Sequence, residues 1–229
     1  MSTEDNLNMR PRKEMTGNVK YLNIAVLSIL LGVSAYIIIR VVNDKGVVLF
    51  TYHPTFIILG YLILMSNAIL IMSDNHFLTK HLSYHQRITA HWIVQASALT
   101  LILIAQACIF TNKINFNKPH LQTTHSLFGI CTVSLTILSA MDGISAKYSY
   151  HLRNFIKPAL SKLMHILLGV SSYTLAIITI ILGFNQLWNS EGDVIIKSII
   201  IILLVFSGFY VLIKTLLLLP SRIKNVLSN

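Results

Sequence analysis

Six long apolar stretches separated by short polar segments divide the chain, at roughly 21–42, 52–73, 89–110, 123–144, 163–184 and 195–218. About 20 apolar residues cross a hydrocarbon core of about 30 Å as a helix, so each stretch predicts one membrane span. The two-residue alternation of a membrane barrel strand is absent. A bilayer offers no partner to open backbone groups, which leaves helices as the spanning form. The expected class is therefore an all-α integral membrane protein of six transmembrane helices. The segments between spans leave no room for a soluble domain. The expected organisation is an N-terminal segment at 1–20, a six-helix domain at 21–218 and a C-terminal tail at 219–229.

Composition agrees: 54% of residues are hydrophobic, 11% are charged, and the mean hydropathy is +0.68. Charge adds orientation. If both termini share one side, that side carries Arg10, Arg12, Lys13, Lys20, Lys80, Arg87, Lys147, Arg153, Lys157, Lys162, Lys214, Arg222 and Lys224. The other carries only Arg40, Lys45, Lys113, Lys118 and Lys197. Positive residues flank the cytoplasmic ends of spans, so both termini are expected in the cytoplasm. The net charge of +10 reflects this flanking bias and calls for no nucleic-acid partner. It also suits anionic lipid or a small anionic substrate. The polar N-terminal stretch lacks the pattern of a signal peptide. Cys108 and Cys131 fall inside spans and are expected as free thiols. No internal repeat stands out. Whether the membrane is an endomembrane or the plasma membrane, and whether the chain forms a homodimer, stay open.

The informative polar positions are those inside the apolar stretches. His53, His91, His125 and His165 stand near the starts of four consecutive spans. Consecutive spans run in opposite directions, so His53 and His125 belong near the non-cytoplasmic face and His91 and His165 near the cytoplasmic one. A single imidazole can rest in the interfacial zone; four in succession mark function. Zinc takes four protein ligands, or three and a water, which pairs of lone histidines do not supply. Two axial imidazoles suit a six-coordinate haem iron that passes electrons. C-x-x-C-H is absent, so the haem is expected to be non-covalent b type, two per chain. Gly129 and Gly169 lie one turn after His125 and His165, and Gly60 two turns after His53. Such positions give clearance for a macrocycle or for helix packing. Gln95, one turn after His91, either orients His91 or a haem or links helices. Pro54 suits the first turn of a helix and puts His53 at the helix mouth. Met164 reads as packing.

The segments Phe50–Pro54 (FTYHP), Ala90–Gln95 (AHWIVQ), His120–His125 (HLQTTH) and Lys162–Gly169 (KLMHILLG) together resemble the cytochrome b561 family, in particular its short, single-domain members. The likeness runs from the first span to the sixth. It implies a central four-helix bundle of spans 2–5 holding two b haems, with His53 paired to His125 and His91 to His165. It also implies electron transfer from cytoplasmic ascorbate to monodehydroascorbate or a ferric (Fe(III)) chelate across the membrane. One departure stands out. Ala68-Ile-Leu-Ile-Met-Ser73-Asp74 replaces the A-L-L-V-Y-R-type stretch of many members, so no substrate residue carries over through it.

No G-x-G-x-x-G segment or soluble domain offers a nicotinamide or flavin site, so the donor is a small reductant or another protein. For an anionic donor the cytoplasmic candidates are Arg87, Lys147, Arg153 and Lys162, for substrate or haem propionate; the same charges also suit lipid headgroups. On the other face the candidates are Lys118 and His120, whose pKa range suits proton relay. Two alternatives remain: a haem-bearing subunit serving a partner enzyme, and a metal or proton transporter. The transporter predicts intramembrane acids or broken helices, and the spans hold almost no acids.

Overall fold

The computed structural model describes residues 17–72, 79, 81–188 and 193–228, and every regular element among them is helical. Six helices are long and apolar enough to cross a membrane, as expected for an all-α six-span protein. They are α1 (Gly17–Lys45), α2 (Leu49–Ile71), α3 (Tyr84–Asn115), α4 (Thr124–Lys147), α5 (Pro158–Leu187) and α6 (Val194–Leu227). Arg10, Arg12, Lys13, Ser73, Asp74 and Lys80 lie outside the described residues.

The helices overrun the apolar stretches because hydropathy marks only the lipid-embedded part. α3 has 32 residues and α6 has 34, roughly 50 Å each at the helical rise. α6 continues through Pro220 to Leu227, so most of segment 219–229 is helical.

Local chemistry sets the starts. Ser83 Oγ accepts from the Gln86 N–H, and Gln86 Oε1 accepts from the Ser83 N–H, at 3.3 and 2.8 Å, a capping box that opens α3. Thr123 and Ser126 do the same for α4. Pro158 opens α5, where its missing N–H costs nothing. α2 begins earlier than its apolar stretch, at Leu49, where Thr51 Oγ1 accepts from the Val48 N–H at 3.1 Å. Pro54 therefore sits in the second turn and not the first, and His53 lies a turn inside the helix and not at its mouth. Midway along α2, Leu59–Met65 forms a π-helical turn.

α2 packs along α3 and α4 along α5, giving two antiparallel hairpins; α6 lies against α5 and α1, and α1 also touches α2. Val26, Leu30, Val33, Ile37 and Val41 form the buried stripe of α1, at the spacing of one helix face. At the end of the molecule shared by His53 and His125, Trp188 Nε1 donates to Asp44 Oδ2 at 2.9 Å. Arg40 bridges that carboxylate to Asp193, with ion-pair distances of 3.2 and 3.4 Å. The flanking cation Arg40 thus ties α1 to the α5–α6 connection. Both cysteines are free.

At Gly60 α2 approaches α3 closely. A Cβ there would lie 2.8 Å from Ile102 Cγ1 and 3.2 Å from the Ala98 carbonyl oxygen. Its clearance therefore serves the packing of α2 on α3. Gly60→Ala is expected to destabilise the protein by about 1–3 kcal/mol, the usual overpacking cost. Gly32→Ala, with nothing within 4 Å of the added carbon, should be neutral or slightly stabilising, and thermal unfolding in detergent distinguishes the two.

Candidate functional site

The four span-starting histidines meet in the two expected pairs. The rings of His53 and His125 have centroids 6.3 Å apart and planes at 78°. Those of His91 and His165 are 6.2 Å apart at 89°. Within each pair one histidine comes from the α2/α3 hairpin and the other from α4/α5.

Each imidazole is braced on the neighbouring helix of its own hairpin. His53 Nδ1 contacts the Ala105 carbonyl at 3.1 Å and His91 Nδ1 the Ala68 carbonyl at 2.7 Å. His125 Nδ1 contacts the Thr179 carbonyl at 2.9 Å and His165 Nδ1 the Ser139 carbonyl at 3.1 Å. A carbonyl oxygen only accepts, so Nδ1 carries the proton in all four rings. The neutral tautomer that results leaves Nε2 with its lone pair, the form in which histidine binds a metal. The two hairpins repeat one scheme: α2 and α3 exchange histidines across their contact, and so do α4 and α5. This equivalence is invisible as a sequence repeat because the braces are main-chain atoms.

Two glycines make room for the braces in the second hairpin. In a helix the N–H of residue i+4 bonds the carbonyl of residue i; for Ser139 that residue is Gly143, and for Thr179 it is Gly183. A Cβ at 143 would stand 2.9 Å from His165 Cε1, and one at 183 would stand 2.8 Å from His125 Cε1. Neither glycine was among the sequence candidates. Gly129 and Gly169, which were, meet only Thr179 Cγ2 at 3.8 Å and Ser139 Oγ at 3.6 Å. They touch no histidine.

The pair geometry fits a shared metal ion. An imidazole nitrogen binds a first-row ion at about 2 Å. Two rings held on opposite sides of one ion through Nε2 therefore place their centroids a little over 6 Å apart. Among the described residues no group of three or more His, Cys, Asp or Glu side chains could hold a metal. Among the described residues each donor set is a pair of neutral imidazoles, which suits an ion whose other positions a macrocycle fills.

The remaining candidates divide by position. Arg87 lies one turn before His91, its guanidinium 5.9 Å from the Tyr84 ring. Lys147, from the end of α4, sets its ammonium 4.4 Å above the ring of Trp92, the residue after His91. Trp92 was not singled out from the sequence, where an exposed indole near a span end reads as an interface anchor. Arg153 stacks on Tyr150 at 4.3 Å in the exposed connection between α4 and α5. Lys162 is exposed on α5 one turn before His165. At the opposite end His120 stacks on Phe110, with centroids 4.4 Å apart, while exposed Lys118 lies 5.6 Å from the Phe116 ring. Asn117 and Leu121 flank this segment at φ +49° and +55°, a region costly for a leucine. Gln95 is half-buried, and the brace on His91 Nδ1 comes from the Ala68 carbonyl.

Comparison with known proteins supplies the remaining context. The model of a family described as eukaryotic cytochrome b561 matches residues 52–190, from just before His53 to just beyond the end of α5. The chain is 30% identical over 163 residues to the probable transmembrane reductase CYB561D1 of Mus musculus, covering 71% of each chain. It is 30% identical over 152 residues to the transmembrane reductase CYB561D2 of Homo sapiens, covering 66% of this chain and 68% of that one. Against the lysosomal membrane ascorbate-dependent ferrireductase CYB561A3 of Bos taurus it is 26% identical over 148 residues, 62% of this chain and 53% of the other.

Proposed function

This chain belongs to the eukaryotic cytochrome b561 family, among its D-type members, and on that premise we propose that it moves electrons from cytoplasmic ascorbate through two b haems to an acceptor on the far side. The family is one of haem b proteins, and the chain is a multi-pass membrane oxidoreductase that transfers electrons across the bilayer. The finer reading assigns His53 and His125 to one haem and His91 and His165 to the other. The observation that carries it is the set of four backbone braces, each leaving Nε2 unprotonated in a ring that lies 6.2 or 6.3 Å from a second imidazole of the other hairpin.

Held between a histidine pair, a haem iron would supply a one-electron couple. The protein's part is to hold each ring in one tautomer and one direction, so that no ligand rearranges when charge arrives. The apolar helices around the pairs keep water out. With both termini cytoplasmic, the His91/His165 centre is the entry point. Lys147 above Trp92, with Arg87 and Lys162 one turn from the ligands, gives that end a cationic rim for ascorbate, the substrate that the ferrireductase relative's name carries. At the other end His120 and Lys118 face the acceptor, monodehydroascorbate or a ferric chelate.

Gently purified protein is expected to contain two haems per chain with low-spin bis-histidine spectra. Ascorbate should reduce it from the cytoplasmic side of a vesicle, and a ferric chelate on the other side should oxidise it. One haem or none per chain overturns the assignment. Two haems with negligible reduction by ascorbate points instead to a subunit fed by a partner enzyme.

A further inference from the structure

Two tyrosines occupy the interior between the histidine levels. Tyr61 of α2 is 2% exposed and Tyr173 of α5 is fully buried. Along α2, Tyr61 falls eight residues after His53 and seven before Ala68, which braces His91. Along α5, Tyr173 falls eight residues after His165 and six before Thr179, which braces His125. Each phenol is therefore roughly 10 Å along the helix axis from both levels.

Their hydrogen bonds run between the hairpins. Tyr61 OH lies 2.9 Å from Thr136 Oγ1 of α4, and Tyr173 OH lies 2.6 Å from Ser66 Oγ of α2. The donors can be assigned. Thr136 Oγ1 already gives its proton to the Thr132 carbonyl at 2.8 Å, and Ser66 Oγ gives its proton to the Tyr61 carbonyl at 3.2 Å. With those protons so placed, both phenols donate. The result is a directed path, Tyr173 to Ser66 to the Tyr61 backbone, and Tyr61 to Thr136 to the Thr132 backbone, crossing α5, α2 and α4. The π-helical turn Leu59–Met65 contains Tyr61, and Ser66 follows it at once. Such turns are rare and concentrate at functional sites.

The histidine braces all lie within a hairpin, so they fix each ring on its own half and say nothing about how the halves register. We propose that Tyr61 and Tyr173 are positioning residues that lock the register of α2/α3 on α4/α5. They thereby set the mutual geometry of the imidazoles at both centres and the rate of electron transfer between them. The proposal rests on the two-haem reading above. Polar pairs of this kind act as glue between membrane helices, and here one latch serves two cofactor sites at once.

The test uses the purified holoprotein with Tyr61→Phe, Tyr173→Phe and the double substitution. Phenylalanine keeps the ring, and Thr136 and Ser66 keep their backbone acceptors, so the variants should fold and retain two haems. The angle between axial imidazole planes sets the electron paramagnetic resonance g-values of a bis-histidine haem. In the double variant the signals of both centres should shift or broaden, and haem-to-haem transfer, followed by rapid mixing, should slow several-fold. Ser66→Ala should reproduce Tyr173→Phe. Tyr210→Phe is the control: it deletes a buried-side phenol bond of 2.7 Å to Asn23, between α6 and α1, and should leave both signals unchanged. Unaltered g-values and transfer rate in a double variant that holds two haems overturn the latch. So does an equal effect from Tyr210→Phe, which would make the role one of general stability. A wild-type protein without two haems defeats the underlying reading instead, so the two failures are distinguishable.

Discussion

His91→Ala is expected to yield a chain that binds one haem in place of two, keeps the spectrum of the His53/His125 centre and passes no electrons from ascorbate. The loss should exceed the roughly 10–100-fold drop in affinity that removal of an outer partner of a metal ligand causes, because here the ligand itself is gone. Its partner cannot compensate. His165 is tied to the Ser139 carbonyl, and among the described residues no further His, Cys, Asp or Glu completes a cluster. The reciprocal substitution, His165→Ala, should give the same spectrum, whereas His53→Ala or His125→Ala should leave the other centre. Haem-to-protein ratio and the reduced-minus-oxidised difference spectrum decide it. If His91→Ala retains both haems, the pairing is wrong.

Gly183→Ala and Gly143→Ala should each be nearly as damaging to one centre as loss of a ligand, although neither glycine touches a metal. The added carbon would sit 2.8 Å from the His125 ring in one case and 2.9 Å from the His165 ring in the other. The imidazole must swing away, stretching its bond to Thr179 or Ser139, and with it goes the constraint that keeps Nε2 free and aimed. A drop in haem affinity of about 10–100-fold at the affected centre follows, with an overpacking cost of about 1–3 kcal/mol in fold stability. Gly129→Ala is the counterpart. Its new carbon meets only a methyl group at 3.8 Å, so protein atoms alone should tolerate it. Equal haem loss from all three variants would mean that the glycines act through general packing.

The architecture was legible because membrane spans announce themselves by composition, and the histidines because polar residues are conspicuous inside them. Their pairing followed from the alternating direction of the spans. What escaped depends on which residues face each other across helices, which no single stretch encodes. Gly143 and Gly183 look like any small residue in a span until the partner helix brings an imidazole against them. Gly60 shows the reverse: of its two readings, macrocycle clearance or helix packing, only the contact between α2 and α3 is seen. Tyr61 and Tyr173 read as ordinary core aromatics until their hydroxyls are seen to bridge the hairpins. The π-helical turn has no sequence signal of its own. Pro54 misled by one turn because the helix cap at Val48 and Thr51 lies outside the apolar stretch. Lys147 was found through charge alone, and only the fold places it above Trp92.

The acceptors that brace the histidines are main-chain oxygens of Ala68, Ala105, Ser139 and Thr179. A side-chain acceptor can be deleted by one codon change; a carbonyl cannot. Substitution at these four positions leaves the acceptor itself in place, provided the helix stays a helix and the side chain stays small enough to fit. The side chains the site depends on are instead the four imidazoles, together with the missing Cβ of the two glycines beneath them. A site wired through its backbone can keep its electronics while most of its surroundings change, so sequences far diverged from this one can retain the same centres.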